Sequence, residues 1–321
     1  MKNALKTEIF PYLPENVRQL LAVIEQTILD NVVEVRLRVN QPLLLVLPGR
    51  DYYVTINGSV SVEDKQAYFC TNTDINQVVQ AISRNSLYAL EEELRRGYIT
   101  LEGGHRIGLT GQAVLEDGVV RTLKNFNALN IRLAREVKGC GNKVLPYLFD
   151  KNNILRNTLL VSPPRCGKTT LLRDLVRSLS TGSEFSPGIQ VAVVDERSEI
   201  AASKQGKITN DLGLRVDVLD GCPKASGMLM LIRTMAPQVI ITDEIGRSED
   251  ITAMEEALHA GVRVIATVHG NNLTDLYNRP QLKLLIQQQY FDCYVFLTDK
   301  PKIGTIREIY LVKEGEKIHV C

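Results

Sequence analysis

The second half of the chain alternates short apolar runs with amphipathic stretches. Four apolar runs lack the polar alternation of a half-exposed strand, so they predict strands covered on both faces, as in a parallel sheet: Thr158–Ser162, Gln190–Val194, Gln238–Thr242 and Val262–Val268. Between the last two runs, Ser248–Ala260 has apolar residues at helical spacing, and Ser248 is the expected N-cap. Strands that alternate with helices predict a doubly wound α/β domain over residues 151–321.

The first half of the chain has a mixed pattern. Pro14–Asp30 carries apolar residues at helical spacing. Val32–Val39 alternates apolar and charged residues, which predicts a half-buried strand with its three charged side chains on the exposed side. Gly97–Gly118 is interrupted by glycines and favours short strands. These signals predict a smaller mixed α/β domain over residues 1–125, followed by a connector over residues 126–150.

Composition narrows the class of protein. Lys and Arg together number 38, and Asp and Glu 37, among 321 residues, so the net charge is close to zero. A protein that binds nucleic acid chiefly by counterion release is usually more basic, so we expect no nucleic acid partner. No apolar run approaches the roughly 20 residues that span a bilayer, and the first residues lack the apolar core of a signal peptide. We therefore expect a soluble cytoplasmic protein with no direct membrane span, whose six scattered cysteines are reduced thiols.

The strongest chemical signal is the sequence LLVSPPRCGKTTLL at residues 159–172. A strand, a tight loop and the start of a helix follow one another there, which is the context of a Walker A phosphate-binding loop. Glycine lets the backbone approach phosphates, lysine brings a positive charge to the β- and γ-phosphates, and a threonine hydroxyl can coordinate Mg²⁺. The predicted nucleotide-binding residues are Ser162, Pro163, Pro164, Arg165, Cys166, Gly167, Lys168, Thr169 and Thr170. The expected cofactors are ATP and Mg²⁺, with Thr169 as a ligand of the metal.

The loop departs from the usual pattern at one position. A Walker A motif begins with glycine, and this chain has Ser162 there. Pro163 biases the residue before it toward extended backbone, which any residue can adopt. We therefore expect the serine to be tolerated for ATP binding, with its effect on loop geometry and turnover left open.

An acidic pair follows one of the predicted strands. Pro237–Glu244 is an apolar run that ends in Asp243 and Glu244. A phosphate-binding loop requires a neighbouring acidic strand end to organise Mg²⁺ and the attacking water. We expect Asp243 to join Thr169 in the metal shell and Glu244 to polarise the water.

Two further strand ends carry candidate residues. Val191–Glu199 contains Asp195, Glu196 and Glu199, which are candidates for positioning metal or water, and Glu196 is a candidate for a direct catalytic role. The alternative is a surface cluster in which a neighbouring arginine forms a salt bridge. His269 follows the strand predicted at Val262–Val268, which would bring it near the γ-phosphate as a sensor; a structural histidine is the alternative.

These elements, in this order, resemble the ATPases of type II and type IV secretion. EIGR at Glu244–Arg247 is similar to the end of their Walker B motif, and ATVHGN at Ala266–Asn271 is similar to their histidine box. Within that superfamily, the stretches EVRLRVNQPL, VVDERSEIAA and DVLDGCPKASGMLMLIRTMAPQVIITDEIG resemble the stage III AA family of sporulation proteins of endospore-forming bacteria.

The resemblance implies a RecA-like P-loop ATPase domain, with a mostly parallel sheet, behind the mixed N-terminal domain. It implies a cytoplasmic ATPase of the mother cell that forms a ring, expected to be hexameric. The partners implied are membrane channel proteins of the sporulation apparatus, through which the ATPase would sit at the membrane and energise a channel to the forespore. In a ring, Arg132 or Arg135 could neutralise charge on the γ-phosphate of a neighbouring subunit.

Two other functions remain open at this stage. A RecA-like nucleic-acid motor shares the core motifs, but the balanced charge and the lack of a basic run interleaved with aromatic residues argue against it. A switch that binds nucleotide with little turnover gains support from Ser162. The presence of Lys168, Asp243, Glu244 and His269 argues for hydrolysis instead.

Overall fold

A computed structural model describes residues 5–83, 91–134, 137–203 and 206–319 of the chain. The chain consists of two compact units, Met1–Ala134 and Arg135–Cys321. The first unit has one apolar core. The second unit has two apolar cores, which lie on opposite faces of its sheet. Among the described residues, no helix combines the length and the apolar character that crossing a membrane requires.

The first unit is a mixed α/β domain. In its described part the helices are α1 (Glu15–Ala22), α2 (Gln26–Leu29), α3 (Asn72–Ser83) and α4 (Glu91–Arg96). The strands are β1 (Glu34–Arg38), β2 (Leu44–Leu47), β3 (Arg50–Val54), β4 (Val60–Ser61), β5 (Tyr98–Thr100), β6 (Arg106–Glu116) and β7 (Val119–Arg132). They form one sheet in the order β4-β3-β2-β1-β7-β6-β5, and the pairs between these strands are antiparallel.

Two local expectations for this unit differ from the structure. The helix predicted over Pro14–Asp30 is two helices, α1 and α2, with the buried Ile24 between them. In β1 the alternation places Val35 inside as expected, but Glu34 is buried as well. The guanidinium of Arg36, 2.7 Å from a Glu34 oxygen, offsets the cost of burying that carboxylate.

The strands β6 and β7 form a long hairpin. Its turn is Asp117–Gly118, and both residues have positive φ, 51° and 77°, as a tight two-residue hairpin turn requires. Residues 126–132, which the sequence analysis assigned to a connector, are part of β7.

The second unit has an eight-stranded sheet in its described part, with helices on both faces. The helices are α5 (Lys168–Thr181), α6 (Lys224–Met235), α7 (Ser248–His259), α8 (Leu273–Tyr277) and α9 (Pro280–Gln287). The strands are β8 (Thr158–Ser162), β9 (Gly182–Ser183), β10 (Ser186–Pro187), β11 (Val191–Asp195), β12 (Val216–Asp220), β13 (Val239–Thr242), β14 (Arg263–His269), β15 (Cys293–Thr298), β16 (Thr305–Leu311) and β17 (Glu316–His319). The sheet order is β12-β11-β13-β14-β8-β15-β16-β17, and β9 and β10 form a separate two-stranded sheet.

The sheet is parallel from β12 through β15 and antiparallel from β15 to β17. The four apolar runs of the sequence are its strands β8, β11, β13 and β14, which confirms the predicted doubly wound α/β class. Successive residues of each central strand face opposite sides, so Val193 packs with the core under α5 and Val194 with the core under α6 and α7. Burial on both faces explains why these strands lack polar alternation.

The helix predicted at Ser248–Ala260 is α7, but its N-cap is Arg247 instead of Ser248. The side chain of Asp250, three residues after the N-cap, accepts hydrogen bonds from the backbone N–H of Gly246 at 3.3 Å and of Arg247 at 3.1 Å. A carboxylate in the first turn therefore takes over the capping that the sequence assigned to the serine.

Candidate nucleotide-binding site

The candidate site lies at one edge of the second unit's sheet. Since β8, β11, β13 and β14 are parallel, their carboxyl ends meet at this edge, which is where open α/β sheets bind ligands. Ser162 at the end of β8 is directly paired with His269 at the end of β14. The loop after β8, the acidic pair after β13 and the histidine of β14 therefore come together, as the sequence leads one to expect.

The phosphate-binding loop runs from the end of β8 to the start of α5. Gly167 precedes the first helical residue with φ of 85°, the left-handed region that glycine adopts without strain. A Cβ at Gly167 would lie 3.3 Å from Cα of Gly304, in the turn between β15 and β16, so space also favours glycine. Ser162 is the last residue of β8 and therefore extended, which requires no glycine.

Lys168 is buried, and its ammonium group binds to its own loop. Nζ lies within hydrogen-bond distance of three oxygens of that loop: the carbonyl of Ser162 at 3.1 Å, the hydroxyl of Ser162 at 3.2 Å and the carbonyl of Pro163 at 3.2 Å. It also lies 3.0 Å from Nδ1 of His269. Burial lowers the pKa of Lys168, and the nearby carboxylates of Asp243 and Glu244 oppose only part of that effect.

Asp243 lies next to the first threonine of α5. The hydroxyl of Thr169 donates to one oxygen of Asp243 at 2.8 Å. The buried hydroxyl of Thr267 donates to the other oxygen and accepts from the backbone N–H of Glu244 at 2.8 Å. Thr267 was not among the residues predicted from the sequence, although its position two residues before His269 on one strand puts both side chains on the same face.

The oxygens of Thr169 and Asp243 suit Mg²⁺, which prefers hard oxygen ligands and is commonly held by one or two protein groups together with phosphate and water. Among the described residues, no group of three or more His, Cys, Asp or Glu side chains could hold a metal by itself. The donor set at this edge therefore fits a metal that arrives with a phosphate ligand.

Glu244 has both carboxylate oxygens in contact with neighbouring side chains. One oxygen lies 3.1 Å from Nε2 of His269, and the other accepts from Arg197 at 3.1 Å. Nδ1 of His269 accepts from Lys168, so Nε2 carries the proton that is donated to Glu244. A continuous chain of polar contacts thus joins Lys168, His269, Glu244 and Arg197.

The backbone of Glu244 is unusual as well. Its φ is 47°, a left-handed conformation that residues other than glycine, asparagine and aspartate seldom adopt. The hydrogen bond from its N–H to Thr267 holds this conformation. Such backbone outliers concentrate at functional sites.

Glu196 lies outside this chain of contacts. It forms a salt bridge with Lys224, a buried residue at the start of α6 that was not predicted from the sequence. Burial by itself raises the pKa of Glu196, but the hydrogen bond and charge of Lys224 outweigh it, so the pKa lies below its usual value.

Asp195, at the end of β11, shapes the loop that follows. It accepts hydrogen bonds from the backbone N–H groups of Glu199 at 2.8 Å, Ile200 at 2.9 Å and Ala201 at 2.8 Å. Burial raises the pKa of Asp195 to about 6, with Asp220 adding to the effect and the three hydrogen bonds opposing it. Its oxygens are thus occupied by the backbone of its own loop.

The two candidate arginines are close together in the sequence, on either side of the boundary after Ala134. Arg132 is the last residue of β7 and lies 3.5 Å from a carboxylate oxygen of Glu34 within the first unit. Arg135 falls outside the described residues, so its candidate role stays a prediction.

Comparisons with known proteins give a consistent picture. A family model described as sporulation stage III, protein AA, matches residues 3–318. The stage III sporulation protein AA of Bacillus subtilis strain 168 is 43% identical over 303 residues, which cover 94% of this chain and 94% of that protein. The uncharacterized protein ycf45 of Cyanidium caldarium is 30% identical over 165 residues, 50% of this chain and 46% of its own length.

Solved structures of similar fold include an ATPase and a pilus retraction motor. The ATPase DotB of Legionella pneumophila has a TM-score of 0.55 at 16% identity, over 83% of this chain and 72% of that one. The pilus retraction motor PilT with bound ADP has a TM-score of 0.52 at 15% identity, over 83% of this chain and 74% of that one. At such identities the likeness shows the fold alone, and it confirms the predicted RecA-like P-loop architecture.

Proposed function

The chain belongs to the sporulation stage III protein AA family, and from that premise we propose that it hydrolyses ATP to ADP and phosphate. The observation that carries the proposal is the polar chain at the sheet edge, in which Lys168, His269 and Glu244 contact one another in sequence. A lysine, a histidine and a carboxylate thereby lie together at the edge of the sheet where a phosphate group would bind.

Nucleotide binding would fall to the loop and the start of α5. Backbone N–H groups at the N-terminus of a helix attract phosphate, and Lys168 adds a positive charge. Thr169 and Asp243 would hold Mg²⁺, which neutralises negative charge on the phosphates when it is bound. Buried Thr267 keeps the Asp243 carboxylate in place beside Thr169.

Glu244 is the residue proposed to activate the attacking water. As a general base its carboxylate accepts a proton while the water oxygen bonds to the γ-phosphorus and the bond to the bridging oxygen breaks. His269 and Arg197 fix the orientation of that carboxylate. Glu196 is paired with Lys224 and is proposed to position the loop after β11.

The proposal extends to assembly and place of action. We infer a hexameric ring of cytoplasmic subunits in the mother cell, held at the membrane by channel proteins of the sporulation apparatus. Arg132 and Arg135 are the candidates for an arginine that reaches the γ-phosphate of a neighbouring subunit. Membership of the family supports the sporulation context.

A second candidate is a nucleotide-dependent switch with little turnover. The observation that favours it is the position of the Lys168 ammonium, which is held by the carbonyls and hydroxyl of its own loop. A lysine retained in this position would leave the catalytic arrangement incomplete, while backbone N–H groups at the start of α5 could still bind the phosphates.

Steady-state ATP hydrolysis with Mg²⁺ distinguishes these functions. The wild type is compared with Lys168→Ala and Glu244→Gln at several protein concentrations, with Glu256→Gln on the exposed side of α7 as a matched control. We expect both site variants to lose activity by roughly a hundredfold or more, Glu256→Gln to retain it, and specific activity to rise with concentration.

Other outcomes would change the assignment. Bound ATP without turnover at any concentration would favour the switch. Turnover that survives in Lys168→Ala would contradict the site itself. Stimulation by DNA or RNA would point to a nucleic-acid motor.

A further inference from the structure

Ser162 gives the phosphate-binding lysine an acceptor that a glycine would not provide. We propose that the Ser162 hydroxyl is a positioning group that holds Lys168 against its own loop and so lowers the affinity of the site for nucleotide. The proposal rests on the ATP-binding function proposed above. It assigns a specific role to the residue at which this loop departs from the usual pattern.

The geometry of the hydroxyl determines which way its hydrogen bonds run. Its oxygen lies 2.7 Å from the carbonyl of Pro163, to which it donates its only proton. Its lone pairs are then left to accept from Lys168, whose Nζ lies 3.2 Å away. Ser162 is only 1% exposed, so water does not readily replace either contact.

The ammonium group has more acceptors than protons. Lys168 carries three N–H protons, and four protein acceptors lie within 3.2 Å of its Nζ: two on Ser162, one on Pro163 and one on His269. A phosphate oxygen can bind this lysine only if it displaces one or more of them. Each acceptor therefore competes with the ligand, and the hydroxyl is the one that depends on the serine side chain.

The size of the competition follows from the kind of hydrogen bond. Bonds to a charged donor are stronger than neutral ones, and burial strengthens them further. Removing the hydroxyl leaves three acceptors that still compete with the nucleotide for Lys168. We therefore expect the loss of this one acceptor to raise the nucleotide affinity by about threefold to tenfold.

The effect is expected in binding and not in the chemical step. The hydroxyl competes with ATP and ADP alike, so its removal should lower KM and leave kcat within about twofold. A serine that merely stiffened the loop would have the opposite signature, because its removal would loosen the loop and weaken binding.

The test uses Ser162→Ala and Ser162→Gly, which both remove the hydroxyl; glycine alone also frees the backbone. The control is Ser180→Ala near the other end of α5, where a buried hydroxyl donates to the carbonyl of Leu212 at 2.6 Å. A cooperative thermal unfolding transition like that of the wild type establishes that each variant is folded. Agreement between the two Ser162 variants assigns the effect to the hydroxyl.

Two measurements are made on each protein. The first is the rate at which an amine-acylating reagent modifies Lys168 without nucleotide, followed by mass spectrometry. The second is the affinity for Mg-ATP and Mg-ADP by calorimetry. We expect several-fold faster modification and threefold to tenfold tighter binding of both nucleotides in the Ser162 variants, with Ser180→Ala like the wild type in both.

The outcomes separate this inference from the function on which it rests. Unchanged modification of Lys168, or weaker nucleotide binding in folded Ser162 variants, would overturn the role of Ser162 while the ATPase proposal stood. If neither the wild type nor any variant binds ATP or ADP, the ATPase proposal is overturned. The proposed competition between the Ser162 hydroxyl and the nucleotide is then overturned with it.

Discussion

At the scale of single residues, the acidic side chains around the sheet edge have sharply different surroundings. Glu244 contacts a histidine and an arginine at the site, Glu196 is neutralised by Lys224, and Asp195 binds three backbone N–H groups. Their chemistry follows from these partners more than from their order along the chain. This is why Glu244 and Glu196, which both follow strands of the same sheet, receive different proposed roles.

Asp195 gives the free energy of unfolding a pH dependence of definite sign. Its pKa rises from 3.8 to about 6 on folding, so the folded protein binds this proton more tightly than the unfolded chain does. The stabilisation from the protonated carboxyl is fully present below about pH 4 and is lost as the pH rises through about 6, a change of about 3 kcal/mol.

We expect Asp195→Asn to remove this part of the pH dependence. Urea unfolding at several pH values across the window should give a wild-type free energy that falls with rising pH relative to the variant. Asp217→Asn, on the edge strand β12, should follow the wild type. Parallel curves for the wild type and Asp195→Asn would contradict the assigned shift.

At the scale of elements, α7 shows how a helix start is fixed by a residue inside it. The carboxylate of Asp250 is buried and accepts from the backbone N–H of Gly246 and Arg247. The hydroxyl of Ser248 donates to the exposed Glu249 side chain, at 3.3 Å. The helix begins four residues after Glu244, so its N-terminus constrains the segment that follows the candidate base.

Replacing Asp250 and replacing Ser248 should therefore change the free energy of unfolding by different amounts. Asp250→Ala is expected to lower the free energy of unfolding by about 1–2 kcal/mol, because two backbone donors lose their acceptor. Ser248→Ala is expected to change it by less than about 0.5 kcal/mol. Chemical unfolding of both variants measures the difference, and a larger loss for Ser248→Ala would show that the serine caps the helix after all.

The elements also show which parts of the structure the sequence could predict. The central strands were predictable because burial on both faces gives continuous apolar runs such as TLLVS in β8. The strand β12 was missed, since an edge position lets its sequence VDVLD alternate with charged residues. The salt bridge of Lys224 could not be predicted, because its partner lies 28 residues earlier and only the fold brings the two together.

At the scale of the whole molecule, the proposed ring predicts that activity depends on residues of two subunits. If Arg132 reaches a neighbouring nucleotide, Arg132→Ala should lower kcat by about a hundredfold or more and change ATP affinity by less than about twofold. Mixing Arg132→Ala with Lys168→Ala should restore activity, because a mixed ring contains intact sites next to intact arginines.

The contact between Arg132 and Glu34 supplies a matched control. Arg36 binds the same carboxylate more closely, at 2.7 Å. If the loss of kcat in Arg132→Ala arises only from the broken contact with Glu34, Arg36→Ala should show the same loss. Equal losses in the two arginine variants, with no recovery on mixing, would assign Arg132 a structural role in the first unit.

The strand order of the second unit has a consequence for the synthesis of the protein. The strand β8, which carries the phosphate-binding loop, pairs with β14 and β15, which are translated roughly 100 and 130 residues later. During translation, β8 is therefore synthesised about ten seconds before the strands that pair with it, at ordinary elongation rates. The part of the chain with the clearest chemical signal is thus among the last to take its working shape. During that interval its apolar strand is exposed to mispairing and is a natural substrate for chaperones.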